Sequence, residues 1–315
     1  IYFRSEDHKF MISIKEAAYK NFGKCLAISN DFMEVLVTVD VGPRIIKCNL
    51  LGHENMMFED VERKFSHDVS SSFGPGKTWY TYGGHRIWMS PESFPATYYP
   101  DNDKVVYSAH SKGADFSPMT QSVTGLSLSM SVEISDTAPE IKITHTIKNT
   151  LKAPVKGSVW CLSVMAPGGM AIIPQPTEDT GLLANRSIVL WPYTKMTDSR
   201  VYWADKYIGL YHDAFSHDDI KIGINNTLGK AAYINKGQAL VKSSEYIKDA
   251  EYPDYGCSTE EFSNSLFQEL ESLSPLYTIG KNESITHTET WTLFDNIETP
   301  ERTNESFESV AKKIF

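Results

Sequence analysis

The sequence predicts an all-β fold arranged as a large antiparallel sandwich. Three observations lead there: apolar and polar residues alternate over many short stretches, Gly, Pro, Asn and Asp punctuate them, and no regular helical pattern separates them. In chain order, Met33, Val35, Val37 and Val39 alternate with Glu34, Thr38 and Asp40. Leu126, Leu128, Met130, Val132 and Ile134 alternate with Ser127, Ser129, Ser131 and Glu133. After a turn at 136–140, Ile141, Ile143 and Ile147 alternate with Lys142, Thr144 and Lys148, so the pair reads as a hairpin. Further β-rich stretches lie at 157–164, 171–174, 220–224, 231–234 and 284–294. After Pro300 the pattern changes: Phe307, Val310, Ala311 and Ile314 recur at helical spacing, with Glu308 four residues before Lys312. A short helical turn is also expected over 14–19. With no low-complexity linker and no internal repeat, the simplest organisation is one domain over 1–315, in which 300–315 form a helical tail.

Composition narrows the function. A hydrophobic share of 41% supports a sizeable core, and a net charge of −10 without any Lys/Arg block opposes capture of nucleic acid or an acidic membrane surface. No apolar run approaches the ~18 residues of a membrane span. Cys25, Cys48, Cys161 and Cys257 are too scattered for a CxxC pair, which points to unpaired thiols and away from zinc ribbons. No His/Asp/Glu grouping has dedicated metal spacing, so neither metal nor cofactor is expected. The chain starts at Ile1 rather than Met, which leaves a removed leader open; cytoplasmic and periplasmic locations both fit.

Chemistry concentrates between Trp79 and Asp103. Seven aromatics fall in the 21 residues from Trp79 to Tyr99, a third of the segment against 12% of the chain, and His85, Arg86, Glu92 and Asp101 are interleaved with them. That mixture suits a sugar: rings cover the C–H patches of a pyranose, while charged groups bond its hydroxyls and move protons. Gly83-Gly84 allows a sharp turn that would aim His85 and Arg86 outward from a strand end. The competing reading pairs Arg86 with Glu92 and packs His85 on Trp88. Gly74-Pro75-Gly76-Lys77-Thr78 ends like a phosphate loop but has Ser71 where that motif needs glycine, so it reads as a plain loop.

Three other groups stand out. On a strand, Glu269 and Glu271 share a face with Phe267 and Leu273, where burial would raise a carboxyl's pKa and suit it to acid–base work; a solvated face is the alternative. Aromatics and acids surround a turn at 252–260, including Asp254, a pattern that an ordinary polar loop also explains. His287 and Glu289 share a face with Ile285, Trp291 and Leu293, so hydrogen bonding within the core competes with catalysis there, and His145 has the same ambiguity.

Taken together, Val39-Asp40-Val41-Gly42-Pro43-Arg44-Ile45, Tyr82-Gly83-Gly84-His85-Arg86-Ile87-Trp88, Tyr99-Pro100-Asp101-Asn102-Asp103, Gly168-Gly169, Tyr252-Pro253-Asp254-Tyr255-Gly256-Cys257 and Glu269-Leu270-Glu271-Ser272-Leu273-Ser274-Pro275-Leu276 resemble the galactose mutarotase-like superfamily. The resemblance is narrowest to a bacterial branch that carries a domain of unknown function. It implies a β-supersandwich with a carbohydrate cleft. In the aldose 1-epimerases of that superfamily a late glutamate takes the anomeric proton while a histidine protonates the ring oxygen. Leu270-Glu271-Ser272 is similar to the segment of that glutamate, which gives Glu271 the base role by resemblance. The acid histidine is missing: its place falls near Trp160, and no histidine lies between 146 and 211. The expected assignment is therefore Glu271 as base and His85 as acid, with Arg86, Trp79, Tyr82, Trp88, Trp160, Asp254 and Glu269 binding a small sugar or glycan. A non-catalytic carbohydrate-binding module, and a lyase or hydrolase acting on a polysaccharide, are the alternatives on the same fold.

Overall fold

The computed structural model describes residues 11–315. Among the described residues strands account for 46% and helix for 7%, a nearly all-β composition. Two large sheets carry the architecture. The first has the strand order Ser13–Ala18, Lys24–Ser29, Met33–Thr38, Ile45–Leu50, Gly84–Ser90, Val155–Met165, Gln268–Leu273, Thr259–Ser263, Ile220–Ile224 and Ile188–Leu190. In the second, Val201–Trp203, Tyr207–Tyr211, Met170–Pro174, Lys230–Asn235, Gln238–Ser244, Ser284–Asp295, Glu140–Asn149, Leu126–Ile134, Gly113–Ser117 and Val106–His110 follow one another.

The sequence hairpin forms in the register its alternation requires: Leu126 lies opposite Asn149 and Ile134 opposite Ile141, with Leu128, Met130 and Val132 facing the core. The main core lies between the sheets, where Val35, Val37, Ile87, Val159, Cys161 and Leu270 of one meet Ile141, Ile143, Ile173, Leu240 and Trp291 of the other. All four cysteines are buried and unpaired. Among the described residues no helix is long and apolar enough to cross a membrane.

The tail forms the helix Asn304–Ile314, capped by the Thr303 side chain accepting from the Ser306 amide. Its Phe307, Val310 and Ile314 cover the outer side of the second sheet against Met170, Ile172, Ile234 and Val241. Glu308 pairs with Lys206 at 3.0 Å, not with Lys312, so it ties the helix to the sheet. Residues 14–19 do not form the expected helical turn. Ser13–Ala18 is an edge strand, with Ser13 opposite Ser29 and Ala18 opposite Lys24, so pairing with the neighbour overrides the helix preference of the Lys-Glu-Ala-Ala run.

Candidate functional site

Three central strands of the first sheet set the site. Arg86 of Gly84–Ser90 lies opposite Leu162 of Val155–Met165, Leu162 opposite Glu271 of Gln268–Leu273, and Glu271 opposite Glu260 of Thr259–Ser263. Because successive residues alternate faces, Arg86, Trp88, Trp160, Leu162, Glu269, Glu271 and Glu260 share the side turned away from the second sheet. His85, Ser163, Gln268, Leu270 and Ser272 share the side turned toward it. Gly83 and Gly84 position this strand with φ of 95° and 66°. A Cβ there would lie 2.1 Å from the Phe58 carbonyl oxygen and 2.4 Å from that of Ile45, so only glycine lets the backbones approach this closely.

On the outward side is a cavity of ≈ 270 Å³ lined by Trp79, Arg86, Trp88, Glu92, Tyr98, Trp160, Trp191, Tyr193, Asp219, Lys221, Phe262, Phe267 and Glu269, among others. Its anchor is Arg86, only 3% exposed. One guanidinium nitrogen, Nη2, donates to Glu269 Oε1 at 3.1 Å, and the guanidinium lies 4.3 Å from the Trp88 ring centre and 5.7 Å from that of Trp79. Nε and Nη1 have no hydrogen-bond partner, and neither does the Trp79 indole nitrogen. Burial raises the Glu269 carboxyl above its ordinary range, and Arg86 opposes that rise.

Glu271 lies beneath the floor rather than in the lining. Its Oε2 accepts from the Trp160 indole at 2.6 Å and from Lys221 Nζ at 3.0 Å, while Oε1 is buried without a partner. Lys221 also pairs with Glu260 at 2.7 Å and lies over the rings of Trp160 and Trp191. Burial works against the Lys221 charge, but the two carboxylates outweigh it and hold the ammonium well above its ordinary pKa. Burial pushes Glu260 strongly upward, partly opposed by Lys221 and reinforced by Glu271.

The structure therefore brings Arg86, Trp79, Trp88, Trp160 and Glu269 to one cavity, with Glu271 directly beneath it, and places three expected residues elsewhere. His85 is fully buried on the opposite face of the sheet, so the arrangement that puts it in one cleft with Arg86 and Glu271 does not occur. Consecutive residues of a strand face opposite ways, and Arg86 takes the outward side. Tyr82, at φ 53°, packs in a separate cluster with Phe22 and donates to Asn102 at 2.7 Å. Asp254, at φ 49°, sits in a left-handed turn and accepts from Ser90 at 3.4 Å. Lys221, Trp191, Tyr193 and Asp219 are among the lining residues that local pattern did not single out. The only signal for Lys221 was a cation between isoleucines in Ile220–Ile224.

His85 belongs to a polar cluster that joins the sheets, and its proton positions follow from its partners. His145 Nδ1 faces the His287 carbonyl at 3.0 Å and so carries hydrogen. Its Nε2 then accepts from His85 Nε2 at 2.7 Å, and His85 Nδ1 accepts from the Ser163 hydroxyl at 2.9 Å. Lys242 donates to Ser163, to the Leu270 carbonyl and to Glu289 at 2.9–3.0 Å. His287 donates to Ser272 at 3.0 Å, Ser272 donates to Glu289, and the Trp291 indole donates to Glu289 at 2.8 Å. Ligand atoms of His85, His145 and Glu289 lie within 4.8 Å of one another, as do those of Cys161, His287 and Glu289. The inward lone pairs of the first group are taken by these bonds, and Lys242 already supplies the cation.

Burial lowers the pKa of all three histidines, that of His287 to about 4. A neutral folded histidine contributes stability above its unfolded pKa of about 6.5, and this is lost as pH falls toward the folded value. The upward-shifted Glu260, Glu261 and Glu269 act in the opposite sense, losing their contribution as pH rises. His287→Gln, which keeps an N–H donor, is accordingly expected to reduce the slope of stability against pH between 6.5 and 4 by up to about 1.4 kcal/mol per unit. Urea titrations across that range measure it, and an unchanged slope contradicts the assignment.

No family model matches the chain, and no curated protein matches its sequence. Solved structures do match in shape. A galactose mutarotase-like protein from Lactobacillus casei aligns over 86% of this chain and 100% of its own, at 8% identity and TM-score 0.53. A candidate aldose 1-epimerase from Klebsiella pneumoniae aligns over 97% and 87%, at 12% identity and TM-score 0.59. A TPR-domain containing protein from Parabacteroides distasonis aligns over 86% of this chain at 11% identity and TM-score 0.59, and the chain spans 47% of that protein's length. The chain thus has the galactose mutarotase-like sandwich fold.

Proposed function

We propose that the Arg86 cavity binds a sugar. The observation that carries this reading is a buried guanidinium pinned by Glu269 at one nitrogen, its Nε and Nη1 without hydrogen-bond partners, set among tryptophan rings. An aromatic face offsets part of the charge but does not accept a directed hydrogen bond as an oxygen does. Hydroxyl or ring oxygens of a pyranose supply such acceptors, and the half-buried Trp88 and Trp191 of the lining offer apolar surface to its C–H patches. Carboxylates of Glu92, Asp219 and Glu269 accept from hydroxyls in return. Arg86 and Lys221 already lie on the aromatic faces, which disfavours a cationic ligand.

A second reading, aldose 1-epimerase chemistry, is favoured by the two glutamates that lie two residues apart on the same strand face. Here Glu271, which accepts hydrogen bonds from Trp160 and Lys221, is the base. Glu269 rather than His85 is the proton donor, since it lines the cavity and its carboxyl is raised by burial. Base catalysis requires Trp160 and Lys221 to uncover Glu271 when the sugar enters. Polarimetry on freshly dissolved aldoses separates the readings. The epimerase reading expects acceleration over solvent that Glu271→Gln lowers at least about 100-fold; no acceleration by the parent protein removes this reading and leaves binding.

A further inference from the structure

Trp88 lines two cavities, not one. Beside the Arg86 cavity lies a second of ≈ 230 Å³, bounded by Pro43, Arg44, Ile87, Trp88, Tyr99, Asp101, Pro118, Met119 and Gln121, with Leu128 at its base. It repeats the chemistry of the first. Arg44 is 1% exposed and held by Asp101, with Nη1 and Nη2 at 2.8 and 3.0 Å from the carboxylate oxygens; its Nε has no partner. Its lining mixes apolar residues, Pro43, Pro118, Met119 and Leu128, with the polar Thr120, Gln121 and Ser122. Tyr99 and Ser122 join the two flanking loops by a hydroxyl contact of 3.3 Å. Met119 is 70% exposed, a large apolar side chain at the rim.

From this arrangement we infer that the two cavities are adjacent subsites for one glycan, with Trp88 as the wall between them, so that the ligand is a neutral disaccharide or a longer chain. This rests on the sugar reading of the Arg86 cavity and extends it. Each cavity alone falls below the roughly 300 Å³ where pockets for drug-sized ligands begin, and the two joined fall within that range. Each buried arginine is neutralised by its own carboxylate, Glu269 or Asp101, which favours hydroxyl-rich neutral rings over polyanionic ones. The unpartnered nitrogens, Nε and Nη1 of Arg86 and Nε of Arg44, supply donors for both rings. The mixture of apolar and polar residues lining the second cavity suits the C–H patches and hydroxyls of a pyranose.

The test is isothermal titration calorimetry with glucose, galactose and xylose beside cellobiose, lactose, maltose and xylobiose, on the parent protein and on Met119→Ala and Gln121→Ala. Both substitutions lie on the rim of the second cavity and not in the Arg86 cavity. At least one disaccharide is expected to bind about ten-fold or more tighter than its component monosaccharides, about 1.4 kcal/mol. Each variant is expected to remove most of that gain while leaving monosaccharide affinity unchanged. If monosaccharides bind and no disaccharide binds tighter, or if the gain survives both variants, the second subsite is overturned and the sugar reading stands. If no saccharide of either length binds, the sugar reading itself fails, and the subsite with it.

Discussion

Arg86→Gln is expected to lower saccharide affinity about 100-fold or more, because it deletes the two unpartnered donor nitrogens, Nε and Nη1, together with the charge behind them. Hydrogen bonds to a charged group contribute about 1.5–3 kcal/mol each, so loss of two corresponds to at least about 3 kcal/mol. The substitution also leaves Glu269 buried without its cation, and the effect on fold needs separating from the effect on ligand. Arg86→Gln with Glu269→Gln does this, since the pair becomes neutral and both amides can bond each other. The double variant is expected to fold like the parent and still not bind. Arg86→Lys keeps charge but not the planar fork, and it too is expected to bind weakly. Calorimetry on the three variants reads these outcomes; wild-type affinity in Arg86→Lys contradicts a role for the fork.

Lys242→Met is expected to cost about 3–5 kcal/mol of stability, the penalty for stranding a buried charge. Glu289 is fully buried and Lys242 is its only lysine or arginine partner among the described residues. Burial works against the Glu289 charge, yet Lys242 holds its carboxyl well below the usual carboxylate range. Without the ammonium, Glu289 must take up a proton, leave one on a neighbouring histidine such as His85 at 3.8 Å, or carry its charge unpaired between the sheets. Ser163 and the Leu270 carbonyl lose a donor at the same time. Lys242→Met with Glu289→Gln is expected to recover part of the loss, because removing both charges is far cheaper than removing one. Urea unfolding midpoints measure both proteins; a cost below about 1 kcal/mol for the single variant would show that the ion pair contributes little to joining the sheets.

The fold was legible where one face of a strand is wet. Leu126–Ile134 and Glu140–Asn149 alternate in burial residue by residue, and the sequence carries that alternation openly. The site was less legible because its strands are buried on both faces. Gln268–Leu273 is buried throughout, and so is Gly84 to Ile87, so no hydrophobic period says which residue faces which side. That is why His85 and Arg86 read as one site although strand parity sends them apart. The same parity correctly grouped Glu269 with Glu271, since two residues on a strand do share a face. Tyr82 was unreadable for another reason: at φ 53° it leaves strand geometry just before the two glycines, and its ring goes to the Phe22 cluster instead. The partners of Glu271 come from Trp160 and Lys221, which are 111 and 50 residues away, and only tertiary pairing brings them together.

Trp160 occupies the space beside Glu271, its indole donating to the carboxylate at 2.6 Å. His85, His145 and His287 are occupied in a neutral network on the other side of the sheet, while His67 packs against the Trp79 and Tyr98 rings.

The central claim, that the Arg86 cavity holds a sugar, is tested most directly by a crystal structure of the protein soaked in the saccharide that binds tightest by calorimetry. The account predicts a pyranose ring against Trp88 with oxygen atoms on Nε and Nη1 of Arg86. A saccharide bound elsewhere, with the Arg86 cavity unchanged, contradicts it.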